Sequence, residues 1–448
     1  MNELKNVNQN ADISVGLDIG TSKLCLIIAQ KDKNSNDNKI LGLGITDSEG
    51  LSRGVITNID KTVNAIKKIV QQAEQQSGIK IEDVVVGIAG DHIESLPQRG
   101  IISISNRNKE ITKDDVDRLI RETKNISIPA DRQIIHVFPQ SYIIDGQDGV
   151  TDPIGMSGIR MEAEVLIITA SSTAIQNIYR CVERAGLRVK DLVLEPIAAS
   201  NATLNDEEKE VGVALVDIGG GTTDIAIYYE NVLRHISIFS IAGKHITDDI
   251  RKVLGIIGTQ AELIKRKHGN SLTETISEDE IFMVPGVAGR SPKEISKKML
   301  SQIIQARSEE ILEFINAELK NSNLSDSLGA GIVLTGGCSL LDGLDELAEK
   351  LLNQAVKIGI PSGFSSSGLA PETASPLYST AVGLTLWGFN QYNNQDESKT
   401  SAKLVFIDDE FKETDKIKIG DKSSESDDIK SDSKESLLGR IKNIMTNL

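Results

Sequence analysis

Two segments of this chain carry the residue types that hold phosphates. Asp18-Ile19-Gly20-Thr21-Ser22-Lys23 and, roughly 200 residues later, Asp217-Ile218-Gly219-Gly220-Gly221-Thr222-Thr223-Asp224 each join one apolar run to another. Glycines at these places remove the Cβ that would keep a backbone amide away from a phosphate oxygen. Thr21, Ser22, Thr222 and Thr223 add hydroxyl donors and Lys23 adds a positive charge. Asp18 and Asp217, one at each strand end, suit Mg²⁺, which favours carboxylates and keeps its waters. One Asp-Ile-Gly turn alone is an ordinary glycine hairpin. The second, extended copy points to a clamp that grips a triphosphate from both sides. Neither segment is a G-x-x-x-x-G-K-[ST] loop, and no G-x-G-x-x-G opens a helix after the first strand.

Three further places could complete such a site, each with a plainer alternative. Gly336-Gly337 ends the apolar run Ile332-Val333-Leu334; it would let a flat base lie on the backbone, or simply turn the chain. Glu262 and Lys265 are three apart on one predicted helix face, placed to grip a ribose and purine edge. Thr259 and Glu262 equally have the spacing of a capping box. Glu195 follows Leu192-Val193-Leu194, where it would orient a water against a terminal phosphate or serve as a helix-terminus carboxylate.

These residues need a scaffold that brings distant turns together. Apolar strand-like runs alternate with helical patterns from Ile13 to about Tyr392, which predicts an α/β body. The chain of 448 residues is too long for one small core. The repeated Asp-Ile-Gly hairpins predict two similar lobes facing across a cleft. Lys and Arg number 49 against 65 Asp and Glu, a net charge of −16. An acidic body of this kind argues against nucleic acid as a partner, and an anionic membrane would repel it unless a basic element were set apart. Cys25, Cys181 and Cys338 are scattered, as expected in a reducing compartment rather than a disulfide framework. No apolar run reaches the roughly 20 residues that span a bilayer, and the polar stretch 1–12 reads as an unstructured start.

The far end of the chain has its own pattern. Residues 393–433 are rich in Asp, Lys, Ser, Glu and Asn and read as an acidic flexible linker, with a root-mean-square reach of about 35 Å. Within 434–448, Leu437, Leu438, Ile441, Ile444, Met445 and Leu448 form one stripe at helical period, with Arg440 and Lys442 off it. Such a helix can lie in a bilayer interface with its cations meeting anionic headgroups. It could also pack on the body or in a partner's groove, although the linker speaks against simple back-packing. One short helix anchors weakly, and lining up many copies in a polymer would multiply the effect.

Taken together, these motifs resemble the actin-like ATPase superfamily and, within it, the bacterial FtsA cell-division family. The supporting segments include Ser52-Arg53-Gly54-Val55-Ile56, Val86-Gly87-Ile88-Ala89-Gly90-Asp91-His92-Ile93 and Pro153-Ile154-Gly155-Met156-Ser157-Gly158-Ile159-Arg160-Met161. The resemblance covers about Val15 to Trp387. It implies ATP and Mg²⁺ as cofactors, with at most slow hydrolysis. Asp18, Gly20, Thr21, Ser22, Lys23, Asp217, Gly219, Gly220, Gly221, Thr222 and Thr223 would face phosphates and Mg²⁺, with Gly243 nearby. Glu262, Lys265, Gly336 and Gly337 would hold the nucleoside, and Glu195 the water.

The resemblance also implies a layout. The first-lobe core would comprise 13–81, 167–201 and 363–392, with a small α+β insert over 82–166. The second lobe would comprise 202–243 and 329–362, with an outer subdomain over 244–328. The implied function is a filament-forming tether at the division site, on the cytoplasmic face of the plasma membrane. It would hold FtsZ polymers by their C-terminal peptide through 244–328 and recruit later division proteins. A pilus-assembly adaptor like PilM shares the fold without the long linker and terminal helix. A sugar or acetate kinase shares the phosphate loops but has no use for such a tail.

Overall fold

The computed structural model describes residues 12–31, 38–365 and 368–396, with backbone alone for Val287 and 391–396. The expected terminal helix at 434–448, and the expected linker from 397 onward, lie outside the described residues. Among the described residues no helix is long and apolar enough to cross a membrane.

The first lobe opens with three antiparallel strands, β1 (Asp12–Ile19), β2 (Lys23–Lys31) and β3 (Asn38–Asp47). A two-residue pair, β4 (Leu51–Ser52) and β5 (Val55–Ile56), precedes helix α1 (Ile59–Ser77), and β6 (Asp83–Ile88) then pairs parallel to β1. Asn58 caps α1 by accepting the Lys61 N–H, and Gly78 ends it at φ 71°.

The inserted unit follows as β7 (Glu94–Ser103), α2 (Lys113–Thr123), β8 (Arg132–Ile144), β9 (Gln147–Val150) and β10 (Arg160–Ser171). Its sheet runs β7-β10-β8-β9. Met161, Ala163, Val165 and Ile167 alternate onto a core that also holds Leu119 and Ile120 of α2. The insert expected over 82–166 therefore starts and ends later in the fold. Asp83–Ile88 pairs inside the first-lobe sheet, where its Val84-Val85-Val86 run is buried, and the inserted sheet spans Glu94–Ser171.

The chain returns through α3 (Ser172–Arg184), β11 (Arg188–Leu194), α4 (Glu195–Thr203) and α5 (Asp206–Val211). The second lobe then repeats the first. Strands β12 (Val213–Ile218), β13 (Thr223–Tyr229) and β14 (Val232–Phe239) are antiparallel neighbours. Helices α6 (Gly243–Leu254) and α7 (Gly258–His268), the hairpin β15 (Ile281–Val284) and β16 (Lys293–Ser296), and α8 (Lys297–Asn321) form its outer part. Strand β17 (Ile332–Thr335), α9 (Leu344–Leu352) and β18 (Val356–Ile358) complete the sheet, with β17 parallel to β12. The two sheets read β11-β6-β1-β2-β3 and β18-β17-β12-β13-β14, so the sequence echo is an echo of topology.

Both sheets are buried on both faces, which explains why their strands read as near-continuous apolar runs. Leu24, Leu26 and Ile28 of β2 join the core shared with Ile66 and Ile69 of α1, while Cys25, Ile27 and Ala29 face the other side. That other side is covered by the last helices, α10 (Ala370–Thr373) and α11 (Ser379–Asp396). Helix α11 crosses β1 so closely that Ser14 Oγ donates to the Thr385 carbonyl at 2.7 Å, and a Cβ on Gly16 would strike Thr385. It continues to Asp396, four residues into the stretch expected as linker.

Candidate functional site

The two glycine turns meet across one cleft. The first turn, Gly20-Thr21-Ser22, closes a hairpin in which Asp18 faces Cys25 and Ile19 faces Leu24. The second, Gly219 to Thr222, closes a hairpin with Asp217 facing Asp224 and Ile218 facing Thr223. They abut: Ser22 and Thr21 fill the space that side chains on Gly220 and Gly221 would need. The cleft holds a cavity of about 310 Å³, within the usual range for small-molecule sites.

Most residues expected from the sequence line it. Asp18, Gly20, Thr21, Ser22, Lys23, Glu195, Asp217, Gly219, Gly220, Gly221, Thr222, Glu262, Lys265, Gly336 and Gly337 all face the cavity. Thr223 and Gly243 do not. Thr223 is fully buried, and its hydroxyl donates to the Ile241 carbonyl at 2.7 Å. Gly243 starts α6, whose first amides bond the second turn: Gly243 N–H to Gly219 O at 3.1 Å and Lys244 N–H to Gly220 O at 2.8 Å.

The charges are arranged in two ways. Lys23 Nζ lies 2.6 Å from Asp18 Oδ2. Burial alone would lower the Lys23 pKa, but Asp18, with Asp217 further off, holds it above the ordinary lysine value. The second lobe has no such cation at its turn. Burial, then Asp18, push Asp217 up to about 6, although Thr380 donates to its Oδ2 at 3.3 Å. Burial, followed by Asp217, pushes Asp224 well above the carboxylate range, and its Oδ1 is buried without a partner. Glu195 is raised well above its ordinary value by burial and then by Asp18, Asp224 and Asp217. Gly87 makes room for it, since a Cβ there would lie 2.9 Å from the Glu195 Cγ.

An orphaned buried carboxylate oxygen and crowded acids fit a bound cation, which would relieve both. Asp18 and Asp217 are the residues that would hold Mg²⁺ through its waters. Among the described residues no group of three or more His, Cys, Asp or Glu side chains is placed to hold a metal ion by itself.

The other end of the cleft is built from α6, α7 and the β17 turn. Glu262 and Lys265 pair at 2.7 Å; Thr247 Oγ donates to Glu262 at 2.5 Å, and Lys265 Nζ donates to the Gly243 carbonyl at 3.0 Å. Burial opposes the charge on Glu262, yet Lys265, Thr247 and Arg266 keep its pKa below the usual value. The capping-box alternative for Glu262 does not hold, because α7 begins at Gly258 with Ile257 at its N-cap and no side-chain cap bond. Gly336 adopts φ +84°, and a Cβ there would lie 2.2 Å from Asp217 Oδ1. Only glycine fits that contact.

Comparison with known proteins decides the family. Residues 214–383 match the family described as Cell division protein FtsA, and residues 90–169 match the SHS2 domain inserted in FTSA. Cell division protein FtsA of Pseudomonas aeruginosa is 40% identical over 401 residues, covering 90% of this chain and 95% of that protein. The chain belongs to the FtsA family. Two other members are Cell division protein FtsA of Neisseria meningitidis serogroup B, 44% identical over 84% of this chain and 90% of its own length, and that of Escherichia coli K12, 35% identical over 87% and 94%.

The family's fold is the actin-like ATPase fold, and solved structures carry it here too. The PilM-PilN type IV pilus biogenesis complex aligns with a TM-score of 0.60 at 17% identity, over 84% of this chain and 98% of that one. MreB 5 of Spiroplasma citri bound to AMPPNP aligns at 0.53 and 15% identity, over 86% and 98%. The FtsA assignment accounts for the insert after β6.

Among the wall residues that the sequence reading does not assign, three bear on the charges of the site. Asp224 ends the second motif, so its position was visible while its orientation was not. Arg266 donates to Glu262 at 2.8 Å one helical turn on, and Thr380 reaches Asp217 from a segment 163 residues away. Only the fold brings that last pair together.

Proposed function

We propose that this FtsA-family protein binds ATP with Mg²⁺ in the cleft, polymerises on the cytoplasmic face of the plasma membrane, and tethers FtsZ filaments there at the division site. The observation that carries the nucleotide reading is the pair of abutting glycine turns with Lys23 on one side and two crowded acids, Asp217 and Asp224, on the other. The turn amides and the hydroxyls of Thr21, Ser22 and Thr222 would meet phosphate oxygens, with Lys23 adding charge. Mg²⁺ held by Asp18 and Asp217 would neutralise the phosphates, and Glu262 and Lys265 would hold the sugar. Glu195 would orient the attacking water, and Asp224 lines the same cavity beside it.

Membership of the FtsA family supports the cellular half of the reading. The outer subdomain, about 244–328, would receive the C-terminal peptide of FtsZ, and later division proteins would join the assembly. The tail would provide the anchor, with Leu437, Leu438, Ile441, Ile444, Met445 and Leu448 entering the bilayer and Arg440 and Lys442 meeting anionic lipid. ATP would favour the polymer-competent closure of the lobes, as a shift between states.

Liposome co-sedimentation tests this reading, using the full chain and a truncation ending at Ser433, each with and without Mg-ATP. Pelleting of the full chain alone, strengthened by ATP, is expected. Equal behaviour of the two forms would remove the anchor.

A further inference from the structure

Strand β8 of the insert bonds to a strand of each lobe, β11 in the first and β14 in the second. β11 is the outer strand of the first-lobe sheet, so the outward amide of its last residue has no further strand to bond. His136, within β8, takes that place: its Nε2 accepts the Leu194 N–H at 3.1 Å. Both residues are buried, and the imidazole packs tilted against Phe138 and edge-on to Trp387. Burial lowers the His136 pKa to about 4, so the ring is a neutral acceptor near pH 7.

The residue after Leu194 is Glu195, the first residue of α4, whose side chain lines the cleft. Four residues beyond His136, Gln140 Nε2 donates to the Leu233 carbonyl of β14 at 2.8 Å, and Arg234 Nη1 donates back to the Gln140 carbonyl at 3.1 Å. β14 pairs with β13, which carries Asp224. One strand of the insert thus connects the backbone beside Glu195 with the hairpin that bears Asp224.

We propose that His136 is a positioning residue for nucleotide hydrolysis, holding the Leu194 amide from the insert and so fixing where the Glu195 carboxyl group stands over the terminal phosphate. The proposal rests on the reading of Glu195 as the group that orients water. His136 does not itself line the cleft, so its loss displaces the group that acts on water and leaves the phosphate and nucleoside contacts in place. Misplacement of a positioned group by a fraction of an ångström is enough to slow a reaction measurably.

The test compares full-length wild type, His136→Leu, His136→Gln and Glu195→Gln for single-turnover hydrolysis of Mg-ATP and for ATP affinity. His136→Leu is expected to turn over about tenfold more slowly, with its Kd for ATP within about twofold of wild type. His136→Gln, whose Oε1 can reach the same amide, should recover most of the rate. Adding His136→Leu to Glu195→Gln should cost nothing further. Equal rates for the Leu and Gln variants, an ATP affinity that falls in step with turnover, or additivity on Glu195→Gln would overturn the proposal and leave the water reading standing. A wild-type rate no faster than that of Glu195→Gln would remove the reading beneath it. Should His136→Leu fail to fold, His136→Asn, too short to reach, makes the same comparison with His136→Gln.

Discussion

In the first phosphate hairpin Asp18 faces Cys25, and in the second Asp217 faces Asp224. The strand order, the register and the Asp-Ile-Gly turn are the same, yet the charges differ. The first hairpin carries its own counter-ion, Lys23, 2.6 Å from Asp18. The second puts two carboxyl groups opposite one another and supplies no lysine at its turn. A self-neutralised turn is set before any ligand arrives. An acid-rich turn is held at a cost until a cation joins it. Any change linked to a bound cation should therefore fall mainly on the second lobe, where α6 is bonded directly to the turn.

Breaking the first hairpin should have the largest effect. Lys23→Met leaves Asp18 buried without its partner, which should cost about 3 kcal/mol of stability. It should also weaken ATP binding by roughly 100-fold; chemical denaturation and calorimetry measure the two losses. A variant that binds ATP as wild type does would end the claim that Lys23 faces phosphate.

The second hairpin should answer differently. Asp224→Asn should slow turnover by about 100-fold while leaving ATP affinity nearly unchanged, as followed by phosphate release. Cys25→Ser, at the matching register position in the first hairpin, should leave turnover alone. Equal effects at the two positions would erase the contrast.

Asp217→Asn sharpens the electrostatic side. The folded-state pKa of Asp217, about 6, lies above the ordinary 3.8, so the native protein binds the extra proton between those values. Its contribution to stability therefore falls as pH rises through that window. At pH 7 the Asn variant should be more stable than wild type by roughly 2 kcal/mol without nucleotide. The gap should close as pH falls below about 4, and thermal melts with and without Mg²⁺ check it. A gap that does not change with pH would refute the mechanism.

The smallest effect is expected from Gly336→Ala. Its positive φ and the 2.2 Å approach to Asp217 Oδ1 should cost about 1–2 kcal/mol, read as a lower Tm. A variant as stable as wild type would show that the β17 turn and the second hairpin can move apart freely.

The legible part of this molecule was local. Asp-Ile-Gly repeats, the Glu262–Lys265 spacing and the apolar runs belong to single elements, and each survives in the structure. The sequence alone does not place the start of the insert, because Val84-Val85-Val86 looks the same in either sheet; only pairing with β1 assigns it. By residue type Thr223 is indistinguishable from Thr222, but strand alternation turns its hydroxyl toward Ile241. His136 sits in a plain apolar strand, and nothing near it in sequence signals an acceptor for an amide 58 residues away. Contacts of that range follow from topology rather than from any local pattern.

Helix α11 packs on β1, joining Thr385 to Ser14 across 371 positions of the chain. During synthesis the first strands emerge long before the helix that covers them. The second lobe's strands are mostly adjacent in sequence or enclosed within it, so that lobe can fold as a unit while the first still waits for α11. Long-range closure of this kind is slow and leaves apolar strands exposed. The vulnerable species on the ribosome is therefore an open first lobe, and a stop codon before α11 should yield aggregation, whereas one after Asp396 should leave the body able to close.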